Sequence, residues 1–458
     1  MEPQNLRFGG GAADTVLHPL VAIALVLVVI LVLCLPRKHV ILPLLLMIFL
    51  TPRGQVVVLA GVHFTIARIL ILAGLARLAS SGGSSPLAGG INDIDRAFTL
   101  LATWYLTAFS LQWMESQAFI KSLGDFLDTL GGYYVMRFFI RDREEIRRAI
   151  KALALVAIIA APSMINEQVH HINLFGLLGG IPMLPAIRNG QVRSQGPFYV
   201  YITAGVFGAA LVPLLIWLWT SGKSKVIAGL GLISATVMVL TSHSSTPLSS
   251  YLFAIVGLCF WPLRRQMRTF RRALALTLIA LHLVMKAPVW ALIARVDLTG
   301  SSTSYQRFML IDNSVRHFWD WWFLGCKDYN TWGFDMWDLG DQYVAYAVTG
   351  GLLSLVLFIR VISCGFGQLG TARKRVAGDR AREWSLWCIG AALLAYVVAY
   401  FGIGNFDQMQ FAWYALLAFV SAAVGEAMRP SVPQGVVTSA PNYQVDGALG
   451  WGALKNTL

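Results

Sequence analysis

The feature that most constrains this chain is a train of apolar runs separated by short basic clusters. The runs fall at about 19–35, 39–50, 62–79, 97–114, 118–139, 149–165, 197–219, 226–241, 248–263, 273–292, 343–363, 385–403 and 409–427. About 20 apolar residues cross a bilayer core as a helix. The pattern therefore predicts an all-α integral membrane protein with about 12–13 transmembrane helices, the count depending on a short run at 39–50 that Thr51-Pro52-Arg53-Gly54-Gln55 interrupts. Composition agrees. Hydrophobic residues make up 57% of the chain and charged residues 13%, against about 25% charged for a soluble domain. That excess excludes a soluble core, which must keep a polar shell, and it excludes disorder. Residues 19–35 lead into Pro36-Arg37-Lys38-His39 with no small-residue cleavage pattern, so they read as an uncleaved first helix.

The net charge of +13 does not point to nucleic acid, because the basic residues sit between apolar runs. They gather at Arg37-Lys38, from Arg137 to Lys151, at Lys223 and Lys225, from Arg264 to Arg272 and from Arg373 to Arg382. Such clusters mark cytoplasmic loops. Alternation then predicts two extracytoplasmic loops, about 166–196 and 293–342, within a membrane domain over 1–428. Residues 429–458 read as a disordered cytoplasmic tail. A structureless stretch of about 50 residues is usually functional. The five cysteines form no CxxC pair, so they signal neither zinc nor a disulfide framework.

The two outer loops carry the chemistry. The first holds Glu167, His170, His171, Arg188 and Arg193. The second holds Arg307, Arg316 and His317 among several Asp, including Asp338 and Asp341, and Lys286 stands in the outer part of the helix before it. An ionisable residue within a span is a functional candidate by default, with snorkelling to the interface as the alternative. Arginine suits phosphate because its planar fork donates two parallel hydrogen bonds and keeps its charge. Pairing with loop Asp or lipid headgroups is the competing explanation. Trp319 and Trp322 belong to an aromatic stretch interleaved with Asp. Flat rings beside carboxylates suit sugar rings, and an interfacial aromatic belt explains the same composition. His170 and His171 are adjacent, so on a helix they point about 100° apart. Neither has an HxxxH partner, so no metal site is signalled. No GxSxG elbow marks a serine hydrolase. Ser242 to Pro247 form a short outer turn that is either a plain loop or the wall of a site.

Arg193-Ser194-Gln195-Gly196-Pro197-Phe198 resembles the Arg-x-x-Gly-x-Phe segment of the O-antigen ligase and polymerase superfamily. Ser301 to Arg307, ending in Tyr305-Gln306-Arg307, is similar to a second segment. Gly325, Asp341-Gln342-Tyr343 and Gly350-Gly351 follow in the family's order. The resemblance implies a GT-C-like membrane glycosyltransferase in the bacterial inner membrane. Its donor is a saccharide on undecaprenyl diphosphate, and it uses neither metal nor cofactor. The acceptor sugar is carried by a second lipid-linked repeat (polymerase) or by lipid A core (ligase). A chain-length regulator or a flippase is an expected partner. Family ligases carry a His late in the large loop. This chain has Trp337-Asp338-Leu339-Gly340-Asp341-Gln342-Tyr343 there, which favours an exopolysaccharide polymerase.

Transfer from a diphosphate needs cations aimed at the leaving group and a base or orienting acceptor for the incoming hydroxyl. Arg193 and Arg307 are expected in the first role. Asp341 is expected in the second, with Asp338 and His317 behind it. Arg188, Arg316, Lys286, Trp319 and Trp322 are expected to bind substrate. A lipid-linked saccharide flippase or transporter is the rival from another class. It calls for polar groups spread through the midplane, whereas here the ionisable residues gather mainly in the outer loops, with Arg68 and Lys286 among the exceptions.

Overall fold

The computed structural model describes residues 15–59, 62–81, 87–295, 304–333 and 336–429. The chain divides into Met1–Met428 and Arg429–Leu458. The expected tail, apart from Arg429, lies outside the described residues. So do Asp297, the start of the Ser301–Arg307 segment, and Asp335.

Each apolar run is mostly helix. In chain order these are α1 (Pro19–Cys34), α2 (Arg37–Leu50), α3 (Ile66–Ser80), α4 (Asp93–Trp113), α5 (Ser116–Phe126), α6 (Gly132–Phe139), α7 (Arg143–His170), α8 (Tyr201–Thr220), α9 (Lys225–Thr241), α10 (Ser245–Cys259) and α11 (Met267–Val284). Two short helices, α12 (Ser304–Arg316) and α13 (Phe318–Trp321), occupy the large loop, and α14 (Gln342–Arg375), α15 (Arg380–Ala399) and α16 (Gln408–Met428) close the chain. A π-helical turn, Leu127–Gly131, joins α5 to α6. Five helices, α7, α8, α14, α15 and α16, are long and apolar enough to cross a membrane, and α1, α9 and α10 are shorter apolar helices. The protein is thus an all-α membrane protein at this level. α1 shows why: Val21, Leu25, Val28 and Val32 are buried, while Leu20, Ile23, Leu27 and Ile30 face outward. A helix that is apolar all round needs an apolar surrounding.

α8 sits in the middle, packed against α7, α9, α10 and α15. Small residues allow that closeness, as at other helix contacts in membranes. A Cβ on Gly208 would lie 2.6 Å from the Ala235 carbonyl oxygen of α9. One on Gly205 would lie 2.6 Å from Pro247 and 2.7 Å from the Ser242 hydroxyl. Gly205 therefore lets the turn before α10 settle against α8.

Ion pairs tie the basic clusters together at one end of the bundle. Arg37 meets Glu145 at 2.7 Å and Arg264 meets Glu383 at 3.0 Å. The Arg143 backbone N–H donates to Glu426. Also at this end, Asp95 completes the capping box of α4 with Asn92 and pairs with the fully buried Arg137. The opposite end holds the starts of α8, α10, α14 and α16 and the ends of α7, α9 and α15. There the Ser194 N–H donates to the Thr241 carbonyl, the Gln342 N–H to that of Tyr400, and the Gln408 side chain to that of Pro197.

The loops hold more structure than their polarity suggests. Val56–Leu59 pairs with Val62–Thr65, and Ala186–Arg188 pairs with Gln191–Arg193, both antiparallel. α7 continues through His170, so Glu167 is a helical residue rather than a loop residue. α11 ends at Val284, so Lys286 lies beyond that helix rather than inside it.

Candidate functional site

Arg193 is presented by a heavily fastened segment. The carboxyl group of Glu167, fully buried, accepts from the backbone N–H groups of Gln195 at 2.9 Å and Gly196 at 2.7 Å. The Gln168 amide donates to the Val192 carbonyl at 2.9 Å, and the Asn173 amide to that of Gly196 at 2.9 Å. Gly196 has φ of 57°, where a Cβ is disfavoured and would meet Met164 at 3.2 Å. Phe198 is buried, 5.2 Å from the Phe207 ring. The Arg-x-x-Gly-x-Phe pattern thus has a physical reading: the glycine makes the bend, the phenylalanine anchors it and the arginine projects from it.

Expected loss follows directly. Glu167→Ala would orphan two backbone N–H groups, at roughly 1–3 kcal/mol each. Gly196→Ala would cost about 1–2 kcal/mol from its backbone alone. Thermal unfolding of the detergent-solubilised protein should rank Glu167→Ala as the less stable of the two, and wild-type melting of both would refute this account of the segment.

The hairpin before Arg193 sets a second arginine beside it. Asn189 and Gly190, with φ of 52° and 75°, form the two-residue turn that such hairpins favour. Ala186 faces Arg193 and Arg188 faces Gln191. Arg188 and Arg193 are therefore diagonal neighbours on one face. Arg193 donates to the Tyr201 hydroxyl at 2.7 Å, with its guanidinium 4.8 Å from that ring's centroid.

Arg307 arrives from α12. Its Nη2 donates to the Thr246 hydroxyl at 2.8 Å and to the Gly402 carbonyl at 3.3 Å. A Cβ on Gly402 would lie 2.4 Å from Thr246 Oγ1 and 2.9 Å from Arg307 Nε, so only glycine fits there. Burial pulls the Arg307 pKa down, while Asp341, Tyr201 and Asp338 oppose the shift. The guanidinium stays charged in any case.

Arg188, Arg193 and Arg307 line one cavity of about 310 Å³, together with Asp338, Ser244 and Tyr201. That volume is at the lower end of small-molecule pockets, which run from roughly 300 Å³ upward. His243 neighbours it, and burial, then the Arg193 charge, hold its imidazole below the usual range. Asp341 caps α14: it is fully buried, and Oδ1 accepts from the N–H groups of Tyr343 at 2.8 Å and Val344 at 3.0 Å. Its Oδ2 has no hydrogen-bond partner among the described residues. Burial raises this carboxyl to about 7 against the pull of those two N–H groups and of Arg307.

Asp341 does not itself line the cavity, and five other candidates also stand away from its lining. His317 stacks on Trp332 at 4.8 Å and meets Asp320 at 2.9 Å. Arg316 pairs with Asp312 at 2.6 Å and is mostly exposed. Lys286 is exposed past the end of α11. Trp319 and Trp322 are exposed aromatic residues. Their segment is instead fastened to α14 by glycines. Gly351 breaks that helix at φ of 76°, and a Cβ there would lie 2.1 Å from the Phe323 carbonyl oxygen. One on Gly325 would lie 2.5 Å from that of Val348. Among the described residues, no group of three or more His, Cys, Asp or Glu could hold a metal ion.

The sequence reading did not single out Tyr201 or Gly402, which complete the site with Gln306 and with Thr246 of the Ser242–Pro247 turn. Compared with known proteins, the chain matches no family model and no curated protein.

Proposed function

We propose that this protein is a polysaccharide polymerase of the bacterial inner membrane, acting as a metal-independent glycosyltransferase on undecaprenyl-diphosphate-linked saccharides at the outer face. The observation that carries the reading is the meeting of Arg188, Arg193 and Arg307 around one cavity from two separate loops, with the buried carboxyl of Asp341 within reach of Arg307's field. Three permanent cations in one concavity suit a dianionic leaving group. The acceptor hydroxyl oxygen bonds to the anomeric carbon, and the bond from that carbon to the phosphate oxygen breaks. Undecaprenyl diphosphate leaves with the electron pair, and the hydroxyl proton passes to Asp341. The arginines act on charge that grows in the transition state.

The test is reconstitution. Purified protein in liposomes, given undecaprenyl-diphosphate-linked repeat units, should yield elongated lipid-linked saccharide and one undecaprenyl diphosphate per new bond. Movement of the donor across the bilayer with no new bond would overturn the reading in favour of transport. Transfer only to added lipid A core would assign the ligase reaction instead.

A further inference from the structure

A second cavity, also of about 310 Å³, lies at the same end of the bundle as the arginine cavity. Its chemistry is different. One stripe of α14, Gln342, Ala345, Tyr346 and Thr349, lines it, at the spacing that puts residues on one helix face. Asn405, Asp407 and Gln408 line it as well.

The lining is charge-balanced. Asp125 is paired with Lys121 at 2.6 Å, Asp128 with Arg68 at 2.6 Å and Asp407 with Arg53 at 2.6 Å. An anionic ligand would meet three carboxylates there and a single lining arginine already engaged. A cation would find each carboxylate already neutralised. A hydrocarbon tail fails for another reason. Gln408 is 4% exposed. Its Nε2 donates to the carbonyls of Thr51 and Pro197, and among the described residues its buried Oε1 and the Oδ1 of Asn405 have no hydrogen-bond partner. Facing each such oxygen with hydrocarbon leaves its desolvation uncompensated. A ligand that carries hydroxyl donors removes that penalty. Tyr105, Tyr346 and Phe406 supply apolar ring surface beside these acceptors.

The two cavities share a wall. Gly402 and Ile403 line the arginine cavity, and Asn405 and Asp407 line the second. Gly402 and Asn405 are three residues apart, so their Cα atoms lie at most about 11 Å from one another. The Gln342 N–H donates to the Tyr400 carbonyl at 2.8 Å, and its side chain accepts from the Asn405 N–H, which fixes this strip to the start of α14 next to Asp341.

We propose that the second cavity binds the acceptor saccharide as an uncharged, hydroxyl-rich ligand, and that the 402–405 strip separates it from the diphosphate. This rests on the polymerase reading for the word acceptor. The binding chemistry stands without it.

The test uses two probes on the whole detergent-solubilised protein: the repeat-unit oligosaccharide cleaved from the cells' own lipid-linked pool, and inorganic diphosphate. Binding is read by saturation-transfer NMR for the first and calorimetry for the second. Ala345→Leu, which adds bulk to the second cavity, should lower oligosaccharide affinity at least tenfold and leave diphosphate binding within twofold. Asn405→Ala removes one orphaned acceptor, keeps the backbone contacts, and should weaken the oligosaccharide severalfold. Arg193→Ala should do the reverse, losing diphosphate and keeping oligosaccharide. Oligosaccharide binding unchanged by both Ala345→Leu and Asn405→Ala, in protein whose diphosphate binding shows it to be folded, overturns the proposal. So does the absence of oligosaccharide binding by folded wild-type protein. Selective loss in those variants without any transferase activity would sink the polymerase reading and keep the saccharide site.

Discussion

Arg307→Ala should abolish polymer while the protein stays in the membrane at its normal level. The side chain reaches from α12 to Thr246 and Gly402, which belong to α10 and to the turn after α15. It is therefore held in place by two elements other than its own, as a group aimed at a ligand must be. Losing one comparable stabilising donor in a transition state costs about two to three orders of magnitude in rate. Folding should suffer much less, because both hydrogen-bond partners of Arg307 are neutral and the Asp341 carboxyl, already raised to about 7, can take up a proton when the cation is gone. Arg307→Lys should recover part of the activity only, since a point charge cannot reproduce the two-pronged fork. Arg316→Ala is the informative comparison. It removes the same charge from the same helix, but Arg316 is paired with Asp312 and mostly exposed, so polymer should fall a few-fold at most. The readout is polymer on a gel, with lipid-linked repeats and protein level measured in parallel. Full-length polymer from Arg307→Ala at normal protein level would remove the central assignment. Equal loss from Arg307→Ala and Arg316→Ala would show that the cavity is not what matters.

What could be read from the residues, and what could not, divides along physical lines. The runs became helices because apolar length is a local property, as in Tyr201–Thr220 and Gln408–Met428. Arg193 and Arg307 could be singled out by residue type and loop position alone, but their shared cavity depends on tertiary packing. Gly205 illustrates the limit. It sits inside an ordinary apolar run, and its consequence, the close approach of the Ser242–Pro247 turn that brings Thr246 to Arg307, exists only once α8 and α10 pack. Gly402 is the same kind of residue, defined by the space that Thr246 and Arg307 leave it. Asn189-Gly190 is different, since that pair is a strong hairpin signal in any sequence and sets Arg188 on the face of Arg193. His317 and Arg316 show the converse. Their residue types within the large outer loop placed them among the candidates, whereas the helical turn directs them to Asp320 and Asp312.

Asp341→Asn should lose activity by about two to four orders of magnitude, the usual range for a positioned proton acceptor, without loosening α14. The two roles of this side chain separate cleanly. Oδ1 caps the helix, and an asparagine oxygen caps as well as an aspartate oxygen does. Asp341→Ala removes the cap too, and should cost about 1 kcal/mol more in stability. Asp341 Oδ2, buried and without a hydrogen-bond partner among the described residues, is the oxygen proposed to take the acceptor proton. Burial raises the carboxyl from 3.8 to about 7, close to where a general base is most effective at neutral pH. Wild-type rate should therefore rise with pH through about 7, and the residual rate of Asp341→Asn should lack that limb. Stability should run the other way. A carboxyl whose folded pKa is raised binds its proton more tightly folded than unfolded, so its contribution is fully present below about 4 and is lost as pH rises through about 7. Unfolding of Asp341→Asn followed across that window should be flatter than that of the wild type. If Asp341→Asn keeps both the rate and the rising limb, the proton goes elsewhere. Asp338, which lines the arginine cavity, is then the next carboxylate to replace.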